Sequence, residues 1–259
     1  MGRVIAVANQ KGGVGKTTTA VNLSAALALT GQRILVVDLD PQGHATSGMG
    51  VPRDAGPSVY DALINDAPLQ SVVVPTQILG LDLAPGSIHL AGAEVELVAL
   101  PARETRLRDA LGSVRDRYDA VLIDCPPSLG LLTLNAMVAA DEVLIPIQCE
   151  YYALEGLTRL VDTVSLIRRE LNPALRIGGV LLTMYDPRTN LAEQVAAEIR
   201  RHFAGEVFAT AIPRSVRLAE APSFGQPVVT YDPSSRGAEA YLALAKEVAE
   251  RVGQPAAVS

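Results

Sequence analysis

Residues 11–18 read Lys11-Gly12-Gly13-Val14-Gly15-Lys16-Thr17-Thr18, and this stretch decides the fold. It lies between an apolar run at residues 4–8 and a helical pattern at residues 17–30. A glycine-rich loop between a strand and a helix allows backbone N–H groups and the helix N-terminus to surround phosphate oxygens. We therefore expect residues 11–18 to bind a nucleotide. Lys16 is expected to reach the β- and γ-phosphates, and the Thr17 hydroxyl to coordinate Mg²⁺. A glycine-rich turn without nucleotide is the alternative.

Further apolar runs alternate with helical patterns along the rest of the chain. We predict strands at residues 33–38, 79–84, 120–124, 142–148, 178–184 and 207–212, and helices at 104–117, 157–171, 191–202 and 237–252. This alternation predicts an α/β fold of the P-loop NTPase type, a twisted and mainly parallel sheet with helices on both faces.

The domain organisation follows from length and composition. A chain of 259 residues, 49% of them hydrophobic, can bury one full core. We expect a single domain over residues 1–253 and a flexible C-terminal tail at 254–259. Residues 43–75 are rich in Gly, Pro and Asp, and we expect them to form a mobile surface segment beside the site.

Acidic side chains stand where two of the predicted strands end. Asp38 ends the run at 33–38 and Asp40 follows it, and Asp124 ends the run at 120–124. In an open parallel sheet, ligands bind at the carboxyl edge, so these carboxylates should converge on the phosphates. Asp124 is expected to hold Mg²⁺ directly or through water. The alternative is that each aspartate only forms a turn.

Charge and composition restrict the function. The net charge of −6 argues against a generally basic nucleic-acid-binding protein, so any DNA contact must come from a local patch. We find neither a signal-peptide pattern nor eighteen consecutive apolar residues, and we expect neither secretion nor membrane spanning. Cys125 and Cys149 lack the spacing of a metal or redox site and are expected to be buried thiols.

The loop departs from the common phosphate-loop pattern, GxxxxGK followed by Ser or Thr, because Gln10 stands where that pattern requires glycine. It instead resembles the deviant Walker A family, which includes ParA, Soj, MinD and the nitrogenase iron protein. The resemblance implies that Lys11 crosses a homodimer interface and contacts the partner's nucleotide. Two ATP molecules held face to face require cations from both subunits. A solvated loop lysine is the alternative.

Four further segments resemble the short ParA/Soj partitioning ATPases: residues 38–43 (DLDPQG), 124–130 (DCPPSLG), 148–156 (QCEYYALEG) and 212–217 (IPRSVR). The resemblance implies a Mg²⁺-dependent ATPase with ATP as cofactor, in which Asp40 orients the attacking water and Asp38 supports the metal site. It also implies that Met184 and Pro213 flank the adenine. Some relatives carry a purine-reading asparagine in place of Met184, so the preference for ATP over GTP rests on the resemblance.

The resemblance also implies a cellular role. We expect an ATP-bound homodimer that binds double-stranded DNA without sequence preference through Arg188 and Arg217, in the cytoplasm and on the nucleoid. A ParB-like partner would stimulate hydrolysis and release the dimer. No membrane association is expected, because residues 237–252 form a net-acidic helix. Two alternatives stay open: a nucleotide-gated protein-positioning switch that does not bind DNA, and a metabolic P-loop ligase.

Overall fold

The computed structural model of the chain describes residues 2–53, 56–151 and 153–251. The predicted tail at 254–259 and the last position of the predicted C-terminal helix, Val252, lie outside the described residues. Within the described part, the strands form one seven-stranded sheet in the order β3-β4-β2-β5-β1-β6-β7. The strands are β1 (Arg3–Val7), β2 (Ile34–Asp38), β3 (Val74–Pro75), β4 (Leu81–Ala84), β5 (Ala120–Asp124), β6 (Glu142–Gln148) and β7 (Arg176–Thr183).

All strand pairs in the sheet are parallel except the short β3–β4 pair, which is antiparallel. The predicted fold class, a mainly parallel α/β sheet, is confirmed. Strand β5 lies between β1 and β2, and its last residue, Asp124, is in register with Val7 on one side and with Asp38 on the other. The ends of these three strands therefore meet at one edge of the sheet.

Helices cover both faces of the sheet, because successive strand residues point to opposite sides. Val4 and Ala6 pack into one core with α7 and α8, whereas Ile5 and Val7 pack into a second core with α1 and α12. The helices are α1 (Lys16–Leu29), α2 (His44–Gly48), α3 (Val59–Ile64), α4 (Leu69–Val72), α5 (Leu90–Glu96), α6 (Arg106–Gly112), α7 (Leu131–Ala139), α8 (Ala153–Glu170), α9 (Asn190–His202), α10 (Val216–Glu220), α11 (Val228–Tyr231) and α12 (Arg236–Arg251). Short 3₁₀ helices occupy Leu97–Ala99, Arg115–Arg117 and Ala221–Phe224.

The strand predicted at residues 207–212 is wrong. This segment makes only single bridges beside β7, at Val180–Val207 and Tyr185–Pro213. Its middle does not form a ladder because the backbone N–H groups of Ala209 and Thr210 donate to the Glu247 carboxylate on α12, at 2.8 and 3.0 Å. A side chain distant in sequence thus replaces the sheet as hydrogen-bond partner.

Two other predictions need correction. The described part of residues 43–75 is not an irregular surface segment throughout, because it contains α2, α3 and α4 and buries Thr46, Leu63 and Leu69 completely. The helix predicted at 104–117 ends at Gly112 and is followed by a separate 3₁₀ turn, as expected where glycine disfavours the helix interior. The two cysteines are free and buried, as predicted. None of the described helices combines the length and apolar character needed to cross a bilayer.

Candidate active site

A pocket of about 470 Å³ opens at the carboxyl edge of the sheet. Asp40, Met184 and Pro213 all line this pocket, so the two residues predicted to flank the adenine share it with the predicted catalytic aspartate. The phosphate loop contributes Gly12, Gly13, Gly15, Lys16, Thr17 and Thr18. The structure thus brings together most of the residues predicted for nucleotide binding, although they come from four distant parts of the chain.

The phosphate loop has the backbone conformation that its glycines allow. Gly13 and Gly15 have φ angles of 72° and 87°, in the left-handed region that side chains disfavour. Helix α1 begins directly afterwards, at Lys16, so its N-terminal N–H groups and the positive end of its dipole face the pocket. This combination binds an anion without any further side chain.

Lys16 is held in the loop rather than in solvent. Its amino group donates to the Lys11 carbonyl oxygen at 3.0 Å, and the residue is 7% exposed. Burial lowers the pKa of Lys16, and the nearby Asp124 and Asp40 carboxylates oppose that shift. The amino group is therefore placed at the phosphate side of the pocket, with compensating negative charge behind it.

Asp124 is completely buried, and neither of its carboxylate oxygens has a hydrogen-bond partner of ordinary geometry among the described residues. Burial raises the pKa of Asp124 well above its usual value. The Asp38 carboxylate adds to this rise, and the Thr17 hydroxyl opposes it. A buried carboxylate without a partner is costly in isolation, and a cation compensates it. The donor set therefore fits a magnesium ion beside Thr17.

Asp38 differs from Asp124, its neighbour across the sheet, because both of the Asp38 oxygens already accept hydrogen bonds. One accepts from the Asp40 N–H at 3.2 Å, and the other accepts from the Thr46 N–H and hydroxyl at 2.8 and 2.7 Å. Burial raises the pKa of Asp38, and the hydrogen bonds from Thr46 and Asp40 counteract the effect. Asp38 thus supports the site from behind, and Asp124 is the carboxylate with free oxygens.

Asp40 stands between these buried groups and the open pocket. It is 8% exposed, and one of its oxygens accepts from the Gln42 N–H at 2.9 Å. This turn fixes the carboxylate in place while the residue remains on the pocket wall. A carboxylate so placed can accept a hydrogen bond from a water molecule at the phosphates.

Lys11 does not lie on the pocket wall of its own chain. Its backbone N–H donates to Asn9 Oδ1 at 3.0 Å, and its amino group pairs with Glu150 Oε2 at 2.5 Å. Both side chains of this pair are nearly half exposed. Within a single chain, the two lysines of the loop therefore have different positions: Lys16 lines the pocket, whereas Lys11 pairs with Glu150 outside it.

The two arginines predicted to bind DNA lie outside the pocket, and both have carboxylate partners. Arg188 makes two hydrogen bonds to Asp186, at 2.8 and 2.7 Å. Arg217 pairs with Glu220 at 2.8 Å and with Asp232 at 3.1 Å. The guanidinium groups are exposed to solvent, but their charge is already balanced within the chain.

Three residues that shape the site were not predicted from the sequence. Thr46 orients Asp38, Glu150 pairs with Lys11, and Thr183 donates to the Val14 carbonyl oxygen at 2.8 Å. Signals existed for two of them. Glu150 lies in a segment that carries the family resemblance, and Thr183 is the hydroxyl that ends an apolar strand directly before Met184.

Comparison with known proteins agrees with this geometry. Residues 2–177 match the family model described as an AAA domain. The chain is 58% identical over 250 residues to the sporulation initiation inhibitor protein Soj of Bacillus subtilis, covering 96% of this chain and 99% of that protein. It is 55% identical over 252 residues to the chromosome partitioning protein ParA of Myxococcus xanthus, covering 97% of this chain and 89% of that protein. The chain belongs to the ParA/Soj family.

Membership of the ParA/Soj family confirms the prediction that the chain is an ATPase. Among solved structures, cobyrinic acid a,c-diamide synthase from Mycobacterium smegmatis with bound ADP and magnesium is similar, with a TM-score of 0.85 and 40% identity. That match covers 97% of this chain and 96% of the other. The ParA/Soj relatives are more similar in sequence, and they extend over almost the same residues.

Proposed function

We propose that this ParA/Soj ATPase is a DNA-segregation ATPase whose ATP-bound homodimer binds double-stranded DNA without sequence preference. A ParB-like partner stimulates hydrolysis and thereby releases the dimer. The protein acts in the cytoplasm, on the nucleoid. The observation that supports the nucleotide-dependent part most strongly is the buried, unpartnered Asp124 carboxylate next to the phosphate loop. The DNA-dependent part is supported by the similarity to Soj and ParA.

The cofactors are ATP and Mg²⁺. The Mycobacterium smegmatis structure contains ADP and magnesium, and the pocket described above offers the matching donors. Thr17 and Asp124 would hold the metal, with Asp38 behind them. Mg²⁺ takes few protein ligands in nucleotide sites, because phosphate oxygens and water supply the rest. When bound, the ion neutralises charge on the β- and γ-phosphates.

Each residue of the pocket has a separate task in hydrolysis. The loop N–H groups and Lys16 bind the phosphate oxygens and stabilise the negative charge that is redistributed as the γ-phosphate leaves. Asp40 accepts a hydrogen bond from the attacking water and orients its oxygen toward the γ-phosphorus. The products are ADP and inorganic phosphate. Met184 and Pro213 are placed to flank the adenine.

Lys11 connects nucleotide binding to dimer formation. In the single chain its amino group pairs with Glu150 on the outer surface. In the proposed homodimer it leaves that pair and contacts the partner's ATP, where the larger negative charge of a triphosphate attracts it. An exposed ion pair contributes only about 0–1 kcal/mol, so breaking the Lys11–Glu150 pair costs little free energy.

Dimer formation also explains how ion-paired arginines can bind DNA. One chain offers Arg188 and Arg217, and a dimer offers two copies of each on one assembly. Phosphate contacts from both subunits combine, so affinity rises far more than twofold when ATP joins them. DNA phosphates then replace Asp186 as partner of Arg188, and Glu220 and Asp232 as partners of Arg217.

The test is retention of random-sequence duplex DNA on filters at low salt, with and without ATP. We expect retention only with ATP. The Arg188→Ala/Arg217→Ala variant should lose it and should lower the salt dependence, because about four phosphate contacts disappear from the dimer. Arg33→Ala is the matched control. Arg33 is also exposed and also paired with an aspartate, Asp119, but it lies at the opposite edge of the sheet.

Three outcomes separate this proposal from the alternatives. Retention that does not depend on ATP contradicts the proposed cycle. ATP-dependent dimers that never bind DNA favour a protein-positioning switch. ATP turnover that requires a small-molecule substrate favours a metabolic ligase, the class to which the name of the Mycobacterium smegmatis structure points.

A further inference from the structure

The phosphate loop is tied to strand β7 by one buried hydrogen bond. The Thr183 hydroxyl donates to the Val14 carbonyl oxygen at 2.8 Å across 169 positions of sequence. Both residues are almost fully buried, at 2% and 1% exposed. A Cβ atom built on Gly15 would lie 3.7 Å from the Thr183 methyl group, so the side chain packs against the loop as well.

This bond fixes the direction of a peptide plane. The Val14 carbonyl and the Gly15 N–H belong to the same planar trans peptide and point in opposite directions. Holding the carbonyl toward Thr183 therefore directs the Gly15 N–H away from Thr183. Gly15 and Thr183 both line the nucleotide pocket, whereas Val14 is buried and does not, so the bond determines which way the Gly15 N–H points along the pocket wall.

The loop needs such a constraint. Gly15 has a φ angle of 87°, and glycines also stand at positions 12 and 13. Glycine has no Cβ and populates several backbone regions, so a peptide plane beside it can rotate at little cost. A loop in which the Gly15 N–H turned away from the pocket would lose one of its phosphate donors.

We propose that Thr183 is a positioning residue for ATP binding: its hydroxyl holds the Val14–Gly15 peptide so that the Gly15 N–H faces the phosphates. Thr183 also precedes Met184, whose backbone has a φ angle of 48° and which lines the predicted base site. The end of β7 thus contributes Met184 to the predicted base site and holds the phosphate loop in place through the Thr183 hydroxyl.

The test is a series in which the hydroxyl and the side-chain volume vary separately: Thr183→Ser, Thr183→Val and Thr183→Ala. ATP and ADP affinities are measured by equilibrium binding of a fluorescent nucleotide and its displacement. We expect Thr183→Ser to bind within about twofold of the parent chain. Thr183→Val and Thr183→Ala should bind about tenfold more weakly, because the Val14–Gly15 peptide is no longer held in the orientation that binds phosphate.

Thr76→Val is the matched control. The Thr76 hydroxyl also donates to a backbone carbonyl, that of Leu81 at 2.7 Å, but in the β3–β4 turn and away from the pocket. This variant should lose some thermal stability without nucleotide while keeping its ATP affinity. Two results would overturn the proposal: a Thr183→Val variant that binds ATP like the parent chain, or a Thr183→Ser variant that is as weak as Thr183→Ala. If Thr183→Val fails to fold, the Ser and Ala variants still decide.

Discussion

Asp124, beside the nucleotide pocket, and the carboxylates that pair with Arg188 and Arg217 are in opposite situations. The region around Arg188 and Arg217 is called the arginine surface below. Asp124 is fully buried, and neither of its oxygens has a hydrogen-bond partner of ordinary geometry in the described part of the chain, although the Thr17 hydroxyl and Lys16 act to stabilise its charge. Asp186 and Asp232 lie near the surface, and each already pairs with an arginine. Asp124 is thus buried with few groups to compensate its charge, whereas Asp186 and Asp232 each pair with a solvent-exposed guanidinium group.

This difference sets the expected size of every substitution. A buried charge depends strongly on its environment, because little water is present to replace a missing partner. An exposed ion pair gives up little when it opens, since water and salt compensate both charges. We therefore expect large effects in the pocket and small, graded effects at the arginine surface.

The largest effect is expected from Lys16→Ala. The buried amino group makes charge-assisted hydrogen bonds to phosphate in the proposed complex, and its loss should weaken ATP binding about a hundredfold. Sedimentation with ATP should show a monomer. Asp40→Ala, which removes the group proposed to orient water but no phosphate contact, should form a stable ATP-bound dimer.

These two variants separate binding from hydrolysis within one pocket. If Lys16→Ala and Asp40→Ala sediment alike with ATP, the division of roles between them is wrong. Binding of ADP to Asp40→Ala provides the control that the pocket itself is intact, and it should equal that of the parent chain within about twofold.

Asp124→Asn should change thermal stability by an intermediate amount. The direction of the change depends on whether ATP and Mg²⁺ are present. The substitution is nearly isosteric and removes a carboxylate whose burial outweighs the stabilisation by Thr17 and Lys16, as the raised pKa of Asp124 indicates. Without nucleotide, the variant should therefore be more stable by about 1–2 kcal/mol, which raises the unfolding midpoint by about 4 °C. With ATP and Mg²⁺ it should lose most of the stabilisation that the parent chain gains.

Thermal unfolding in four conditions checks this prediction: each chain alone and with ATP and Mg²⁺. Asp38→Asn is the comparison, because the Asp38 oxygens accept three hydrogen bonds, and the substitution should destabilise the empty chain. An Asp124→Asn variant less stable than the parent chain without nucleotide would show that the carboxylate has a partner in solution.

The pocket could be predicted from the sequence because the ends of neighbouring parallel strands lie at the same edge of the sheet. Once β1, β2 and β5 are recognised as neighbouring parallel strands, Asp38 and Asp124 must lie at one edge beside the phosphate loop. The glycine pattern of the loop and the aspartates that end the predicted strands are both visible in the sequence. The agreement at this edge follows from backbone geometry rather than from side-chain detail.

Several of the features that escaped prediction depend on side-chain contacts between separate elements of the fold. Glu247 captures two N–H groups near residue 210 and prevents a strand there. Thr183 reaches the phosphate loop, and Asp232 reaches Arg217. None of these pairs has a characteristic spacing, because their approach depends on how separate elements pack.

The smallest effect is expected at the arginine surface, from Asp186→Asn. The asparagine oxygen can still accept from the Arg188 N–H, which closes this turn at 3.1 Å, so the backbone should not change. The charge that competes with DNA for Arg188 disappears. The Arg188–Asp186 pair is exposed and weak, so affinity for random duplex in the presence of ATP should rise only two- to threefold, on the order of 0.5 kcal/mol.

Asp119→Asn is the control that distinguishes a local effect at Arg188 from an effect of the total charge of the protein. It releases Arg33 from another exposed pair, at the opposite edge of the sheet, and changes the net charge by the same amount. If Asp186→Asn strengthens DNA binding and Asp119→Asn does not, the gain is local to the Arg188 surface. Equal gains would mean that the total charge of the protein sets its affinity for DNA. The carboxylates beside the arginines would then be neutral neighbours rather than competitors, and the contrast with the pocket would concern burial alone.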